Sequence, residues 1–436
     1  MHQETLTKLS AQGVKLIITV DCGITNNKEV IFAKKSGMDI IITDHHQLGS
    51  EIPEADAVIH DDTLVGASVA WVLGYSLLQK HDKLPTSQTS AAWNWDLVAL
   101  GTIADLQPLI GKNRSFVYWG LKALNETKRL GLQLLIANAA ISPGTIDTYT
   151  IGYVLAPRLN ASGRLEDALQ AVRLLCTKDR LQAMSIAESL QKLNVRRQEM
   201  TFSGFSQALE NIQATDKIII AVNQEWHEGI IGLVASRLKE QHYRPAIAIS
   251  TAHKLAKGSA RSIKGFNMIE AIREVSDLLI DCGGHPMASG FTIASENIAL
   301  FQKRMSKIAA EKITPEMLSP ILEIDAELDF VDITASLRKT LTSLSPFGIG
   351  NPEPLFLLSH VKPWHVNFMG REQKHLRWQI KQKETVLTAL GFGFKTRYNE
   401  LTKAESIDMV FSLQEDHWQG VKRLFLKVKD FRISQC

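Results

Sequence analysis

The chain has 436 residues, 45% of them hydrophobic and 22% charged, ordinary values for a globular protein with room for two or three separate cores. A net charge of +3 excludes recognition of nucleic acid by bulk charge, so any such surface must come from local clustering of the 49 Lys and Arg residues. No apolar run is long enough to cross a bilayer, no signal-peptide pattern opens the chain, and Cys22, Cys176, Cys282 and Cys436 show neither metal-ligand nor redox spacing; together these predict a cytoplasmic protein with reduced thiols.

From Met1 to about Leu165 the pattern alternates strand and helix. Ile17-Ile18-Thr19-Val20 stops on Asp21, and Ile40-Ile41-Ile42-Thr43 stops on Asp44-His45-His46. Such β-branched apolar runs read as buried parallel strands. Between them, Asn26 to Ser36 reads as a short helix ended by Gly37. Thr63 to Leu78 reads as an apolar helix, and Leu97 to Ala104 as a third apolar strand stopping on Asp105. Leu165 to Asn211 is one long helical stretch, with Leu169, Val172, Met184, Leu190 and Leu193 at near-helical spacing. Its charged face (Lys192, Arg196, Arg197) reads as solvated, and the stretch as a spacer between domains.

A second α/β unit follows, with strands at Lys217–Val222 and Pro245–Ser250, a helix at Ile230–Lys239, and a Gly258-Ser259-Ala260-Arg261 loop before a helix at Met268–Leu279. Glycines then surround His285. Beyond about Ile321 come short alternating strands at Leu322–Leu328, Leu355–Leu358, Leu376–Ile380, Val386–Leu390 and Leu424–Val428, the spacing of a small β-barrel or sandwich.

In open α/β sheets, ligands sit outside the carboxyl ends of the strands, so the acidic tips should share one crevice. Asp21, His45 and Asp105 are ligand types that suit Mn²⁺ or Mg²⁺, which makes a metal-dependent hydrolase the first expectation. One Asp at a strand end is often a turn residue or a helix cap, and a His-His pair is often a polar loop. Three strands each ending on a ligand type are harder to assign to turn chemistry. Asp44 beside His45 and His46 can also supply the acceptor that fixes an imidazole tautomer.

The Asp21-Cys22-Gly23 strand end, the Asp44-His45-His46 triplet and the Gly101-Thr102-Ile103-Ala104-Asp105 run resemble the DHH phosphoesterase superfamily. The segments Ala156-Pro157-Arg158-Leu159-Asn160-Ala161-Ser162-Gly163-Arg164, Trp226–Gly232 and Gly283–Gly290, with the Pro346–Pro354 turn, narrow the resemblance to the RecJ family over nearly the whole chain. That resemblance implies an α/β protein with four parts: a parallel-sheet DHH domain (1–165), a long helical connector (166–212), an α/β DHHA1 domain (213–315) and a carboxy-terminal β-barrel of OB-fold type (316–436). It implies a single-stranded-DNA-specific 5′-to-3′ exonuclease that releases nucleotides by two-metal hydrolysis in DNA repair and recombination. By the same resemblance Asp21 bridges two Mn²⁺ or Mg²⁺ ions, His45 and Asp105 hold one of them, Asp44 is a ligand or its neighbour, and His46 faces the scissile phosphate. Arg158, Asn160, Arg164, Ser259, Arg261 and His285 would bind the 5′ phosphate and the strand behind it.

Residue chemistry stands beside these expectations. Arg158 and Arg164 flank an Asn160-Ala161-Ser162-Gly163 loop, and guanidinium forks suit phosphate oxygens, although Arg158 and Arg164 alone read equally as salt-bridge residues and His285 as a structural loop histidine. Near the carboxy terminus Arg371, Lys374, Arg377 and Lys383 lie close to Trp364, Phe368 and Trp378, a mixture suited to single-strand binding, though aromatics alternating along strands usually fill a core. The implied partners are single-stranded DNA, a single-strand-binding protein and a helicase, with no membrane and a monomeric state. The family's Asp-x-Asp-x-Asp-Gly-type motif, on a strand ahead of the Asp21 strand, does not occur, and Asp61-Asp62 stands in another context. The 436-residue form is therefore expected to lack carboxylates for the ion pair and to be a poor or inactive nuclease. Two alternatives remain: a DHH phosphodiesterase acting on short oligonucleotides or cyclic dinucleotides, against which the terminal β domain argues, and a catalytically dead single-strand-binding protein.

Overall fold

The computed structural model describes residues 1–84, 93–210, 212, 216–382, 385–418 and 421–434, so Lys383 and Cys436 lie outside the described residues. These residues divide into two units, one of Met1–Glu126, Gly144–Ile151 and Leu322–Cys436, the other of Thr127–Pro143 and Gly152–Ile321.

The first unit begins with α1 (Gln3–Ala11), β1 (Leu16–Val20), α2 (Asn27–Lys35), β2 (Asp39–Asp44), β3 (Ala57–His60), α3 (Gly66–Lys80), α4 (Trp95–Ala104) and α5 (Gly111–Asn125). The three strands pair in parallel in the order β1-β2-β3, with Ile18 opposite Ile41 and Ile41 opposite Ala57; β1 is the edge strand and, against expectation, not buried, with Leu16, Ile18 and Val20 about half exposed. Ile40 and Ile42 turn one face of the sheet onto Leu6, Ile24, Val30 and Ala33 of α1, α2 and the loop between, and all six are nearly solvent-free. The short α2 ends before Gly37, as its sequence indicates.

One element departs from the sequence reading. Leu97 to Ala104 is helix, not strand, and Asp105 sits just past its carboxyl end. A uniformly apolar run cannot distinguish a buried strand from a buried helix. Close packing selects the helix: a Cβ on Gly101 would lie 2.7 Å from Ala67 Cβ, so glycine lets α4 lie directly against α3.

The second unit holds α6 (Leu130–Asn138), α7 (Ala156–Leu165), α8 (Leu169–Cys176) and the 30-residue α9 (Arg180–Leu209). Asp179 caps α9 by accepting the Leu181 and Gln182 N–H groups. Then come β4 (Ile219–Asn223), α10 (Glu228–His242), β5 (Ala246–Ser250), β6 (Leu255–Arg261), α11 (Met268–Arg273), β7 (Leu279–His285), β8 (Ala288–Ala294) and α12 (Ile298–Lys312). The sheet runs β4-β5-β6-β8-β7, with only β4–β5 parallel. Three expectations change here. Arg158 to Arg164 is helix α7 and no loop, because Ala161 and Ser162 are fully buried and α7 packs along α9. Ser259 and Arg261 lie on strand β6 and His285 ends strand β7, where loops were expected. And α9 packs on α6, α7, α8 and α10, so it is a spine of this unit more than a spacer.

The first unit resumes with β9 (Ala326–Glu327), α13 (Ala335–Thr342), β10 (Phe356–Val361), β11 (Pro363–Met369), β12 (His375–Gln382), β13 (Thr385–Gly391), α14 (Tyr398–Lys403), β14 (Ile407–Trp418) and β15 (Val421–Ile433). Their order is β11-β12-β13-β15-β14-β10-β9. Alternation along β12 sends Leu376, Trp378 and Ile380 into the core and leaves Arg377 and Lys381 outside. Trp378 is thus a core residue and no stacking platform, packed among Phe394, Phe431 and Phe411's cluster.

Candidate metal centre and anion site

Parallel pairing of β1 and β2, with Val20 opposite Thr43, carries Asp21 and the Asp44-His45-His46 segment to one end of the sheet. Asp21 takes a left-handed backbone (φ 63°), a conformation rarely held by a residue with a Cβ unless its surroundings impose it. Gly66, the first residue of α3, makes the room: a Cβ there would fall 2.3 Å from Asp21 Oδ1. The carboxylate therefore abuts a helix amino terminus, whose unpaired N–H groups favour negative charge.

His45 Nε2 lies 3.0 Å from Asp21 Oδ1 and 3.9 Å from Asp105 Oδ2. The His45 side chain is only 10% exposed, while those of Asp21 and Asp105 open to solvent. The Gln107 amide nitrogen reaches both His45 Nδ1 and Asp105 Oδ2 at 3.4 Å. Asp44 is the buried member, 1% exposed. It accepts N–H groups from Ile24 (3.0 Å), His45 (2.8 Å) and His46 (3.2 Å), and its Oδ1 is 2.7 Å from His46 Nδ1. Burial works to raise the Asp44 pKa, but the Ile24 amide, the His46 ring and the His46 and His45 amides more than offset it and hold the carboxyl below its usual range. The hydrogen bond to Asp44 raises the His46 pKa; burial opposes this, and the charges of Asp44, Asp21 and Asp105 add to it. Asp44 and His46 are thus a hydrogen-bonded pair, with the Asp44 side chain buried and that of His46 about half exposed.

The ligand atoms of Asp21, His45 and His46 all lie within 4.8 Å of one another, the one such cluster of three among the described residues. No Lys or Arg pairs with Asp21 or Asp105 among the described residues. Two exposed carboxylates flanking an imidazole, with no cation to balance them, fit a divalent ion of the Mn²⁺ or Mg²⁺ kind. Asp21 and Asp105 thus lie on either side of His45, with Asp105 outside the three-residue cluster and His46 within it, and Asp44 serves the loop that holds the two histidines.

The second unit collects arginines. Arg158 and Arg164 stand on α7, Arg197 on α9 and Arg261 on β6. Their partners are neutral: Gln191 Oε1 and Val154 O for Arg158 (both 2.7 Å), Gly229 O for Arg164 (3.3 Å), Asn194 Oδ1 for Arg197 (3.0 Å), and Ser259 Oγ (3.2 Å) with Ala260 O (2.8 Å) for Arg261. Burial lowers the pKa of all four, and like charge adds to it, from Arg164, Arg237 and Arg158 on Arg197 and from Arg164 on Arg261. Half-buried guanidiniums that repel one another and pair with no carboxylate among the described residues are short of an anion. Asn160 and His285 are exposed and share no described hydrogen bond with these arginines. Sequence reading missed Arg197 and Arg237. The signal for Arg197 was its place four and seven residues beyond Leu193 and Leu190, on the buried stripe and not the solvated face.

On the β-rich part of the first unit, the register sets Arg377 opposite Leu390 and Leu390 opposite Lys427 on the outward face. Lys427 Nζ lies 5.9 Å from the Phe392 ring centre, and Phe392 and Trp364 are about half exposed. Phe392 and Lys427 also line a cavity of about 810 Å³ with Tyr118, Lys122 and Arg338. Phe368 instead stacks on Tyr398, and Lys374 pairs with Glu372, leaving Arg371 exposed.

Comparison with known proteins places these features in a family context. Residues 2–102 match the family model described as DHH family, N-terminal domain; residues 215–311 match the DHHA1 domain, and residues 324–430 the RecJ OB domain. The single-stranded-DNA-specific exonuclease RecJ of Bacillus subtilis is 36% identical over all of this chain and 56% of its own length. That of Salmonella typhimurium is 33% identical over 99% of this chain and 79% of its own. The crystal structure of RecJ in complex with Mn²⁺ from Thermus thermophilus superposes with a TM-score of 0.88 at 30% identity, covering all of this chain and 64% of that one. The chain thus spans little more than half the length of the Bacillus relative.

Proposed function

The chain belongs to the RecJ family, and from that premise we propose that it hydrolyses single-stranded DNA from the 5′ end and releases nucleotides. One observation carries this reading: Asp21 and Asp105 both lie beside His45 Nε2, and neither pairs with a Lys or Arg among the described residues. These three would hold Mn²⁺ or Mg²⁺; because this sequence lacks the family's Asp-x-Asp-x-Asp-Gly-type carboxylates, hydrolysis by these 436 residues is expected to be slow, and its direction and metal dependence are what the tests read. Such an ion supplies charge neutralisation at a phosphodiester and a lowered pKa for attacking water.

The chain's own groups do the rest. Asp44 keeps the His45 and His46 amides and the His46 ring in one orientation. His46 would hold a proton at Nδ1 against Asp44, and its half-exposed ring would donate from Nε2 to a phosphate oxygen as negative charge builds there. In the second unit Arg261, Arg164, Arg158 and Arg197, with Ser259, bind the terminal 5′ phosphate, whose charge answers their mutual repulsion. Arg377, Lys427 and the exposed rings of Trp364 and Phe392 take the following nucleotides.

A substrate of this kind must be produced by duplex unwinding. We infer further that the protein works in the cytoplasm as a monomer, beside a helicase and a single-strand-binding protein, in DNA repair and recombination. None of the described helices is long and apolar enough to cross a membrane. The reading is tested with a 5′-phosphorylated single strand labelled at its 3′ end in Mn²⁺. Shortening that keeps the label to the last, with the matching duplex spared, is the expected result. Early loss of the label, or cleavage in chelator, would refute it.

A further inference from the structure

We propose that the turn from Leu344 to Asn351 is part of the metal centre's scaffold, clamping the loop that carries Asp105 and Gln107. This rests on the metal-site reading above and extends it to the carboxy-terminal β domain. The loop from Asp105 to Ile110 leaves α4 with its own short bonds, Asp105 N–H to Gly101 O (3.0 Å) and Gln107 N–H to Thr102 O (3.1 Å). From α5, Asn113 Nδ2 donates to Pro108 O (3.1 Å) and to Thr63 O (2.7 Å). The remaining side is closed by the turn. The Leu109 N–H donates to Ile349 O at 2.6 Å, and Leu109 is 2% exposed. Gly350 (φ 76°) lies so near that a Cβ would stand 3.0 Å from Pro108 Cβ and 3.4 Å from Ile110 Cγ2.

The turn is itself braced. Asn351 Nδ2 donates to Leu344 O (3.0 Å) and Pro346 O (2.8 Å), and Gly348 and Asn351 exchange backbone bonds. Arg114 Nη2 holds Leu344 O at 2.7 Å and Thr148 Oγ1 holds Phe347 O at 2.8 Å. A segment more than 200 residues away in sequence is therefore bonded to the loop whose Gln107 bridges His45 and Asp105. Asp105 is exposed and has no other described side-chain bond, so its position depends on the loop and not on burial. By linkage, whatever fixes the loop favours the ion, and the ion favours the clamped turn. Gln107 and Gly350 are positioning residues.

The test is Mn²⁺ affinity, read from the electron-paramagnetic signal of free Mn²⁺, for the full chain and for Gly350→Ala, Arg114→Gln and Asp105→Ala, beside single-strand affinity measured in chelator. Gly350→Ala and Arg114→Gln should each weaken Mn²⁺ binding by about tenfold, the range seen when groups supporting a metal ligand are removed. Single-strand affinity in chelator should not move. Wild-type Mn²⁺ affinity in both variants, with Asp105→Ala impaired, would overturn the clamp and leave the metal site standing. Absence of Mn²⁺ binding by the wild type would overturn both. Hydrogen exchange on the unaltered protein avoids any folding defect: exchange at the Leu109 amide should slow when Mn²⁺ is added, and an unchanged rate contradicts the proposal.

Discussion

A methyl group on Gly66 would lie 2.3 Å from Asp21 Oδ1. Alanine is otherwise the better helix former by about 1 kcal/mol. That gain does not offset the clash here, where the methyl would also stand 2.5 Å from Asp21 Cβ and Cγ, so Gly66→Ala should lower the melting temperature and weaken Mn²⁺ binding about tenfold or more by displacing Asp21. Calorimetric titration with Mn²⁺ checks this, and unchanged affinity would mean that Asp21 does not bind the ion. The arginines make the complementary case. Removing one charged hydrogen-bond partner costs about 1.5–3 kcal/mol, so Arg261→Ala should lose that much affinity for 5′-phosphorylated strands and far less for 5′-hydroxyl strands. Because burial and Arg164 already disfavour the Arg261 charge, the anion-free protein should not melt lower. Equal losses on both strands would reduce Arg261 to a general charge.

Among the elements, β14 offers a clean test of the β domain. Asp408, buried on that strand, joins Arg432 Nε (3.0 Å), Ser434 Oγ (2.7 Å) and the His360 N–H (3.1 Å). Burial works to raise its pKa, but the Ser434 hydroxyl, the His360 amide and Arg432 hold it below the usual value. A carboxyl lowered in the folded state adds stability that is complete above the unfolded value, about 3.9, and lost as pH falls through the lower folded value. Asp408→Asn should thus cost about 2 kcal/mol near neutral pH, and the gap from wild type should close below about pH 4. Thermal melts across pH measure it; a gap undiminished at about pH 3, below the unfolded value, would contradict the assignment.

Elements also show what the amino-acid order makes legible. The β1 and β2 runs could be read because β-branched residues stop on a charged tip, and Arg377 and Trp378 because strand alternation separates them. Leu97 to Asp105 could not, since a helix buried all round has no polar face to give it a period. The Arg158–Arg164 segment has the composition of a loop, and only its packing along α9 makes it helix. That Asp21 and Asp105 lie near His45 was legible from ligand chemistry. Arg197 reads as part of a solvated face although it follows the buried stripe of α9, and Gln107 was not legible because its neighbour His45 is distant in sequence.

At the scale of the molecule, the first unit carries the metal centre together with the β domain, and the second carries the arginine cluster. On the proposed reading, the turn from Leu344 to Asn351 makes the β domain a support for the metal centre as well as a surface for nucleotides. The central claim is that hydrolysis follows ion occupancy at Asp21, His45 and Asp105. Its most direct test is a Mn²⁺ titration in which bound ion and nucleotides released from a 5′-phosphorylated single strand are measured in the same samples, for wild type and Asp21→Ala. Release that rises in step with bound Mn²⁺ in the wild type, with both lost in Asp21→Ala and single-strand affinity in chelator retained, is the predicted result. Release by Asp21→Ala at the wild-type rate, or wild-type Mn²⁺ saturation in that variant, would contradict it.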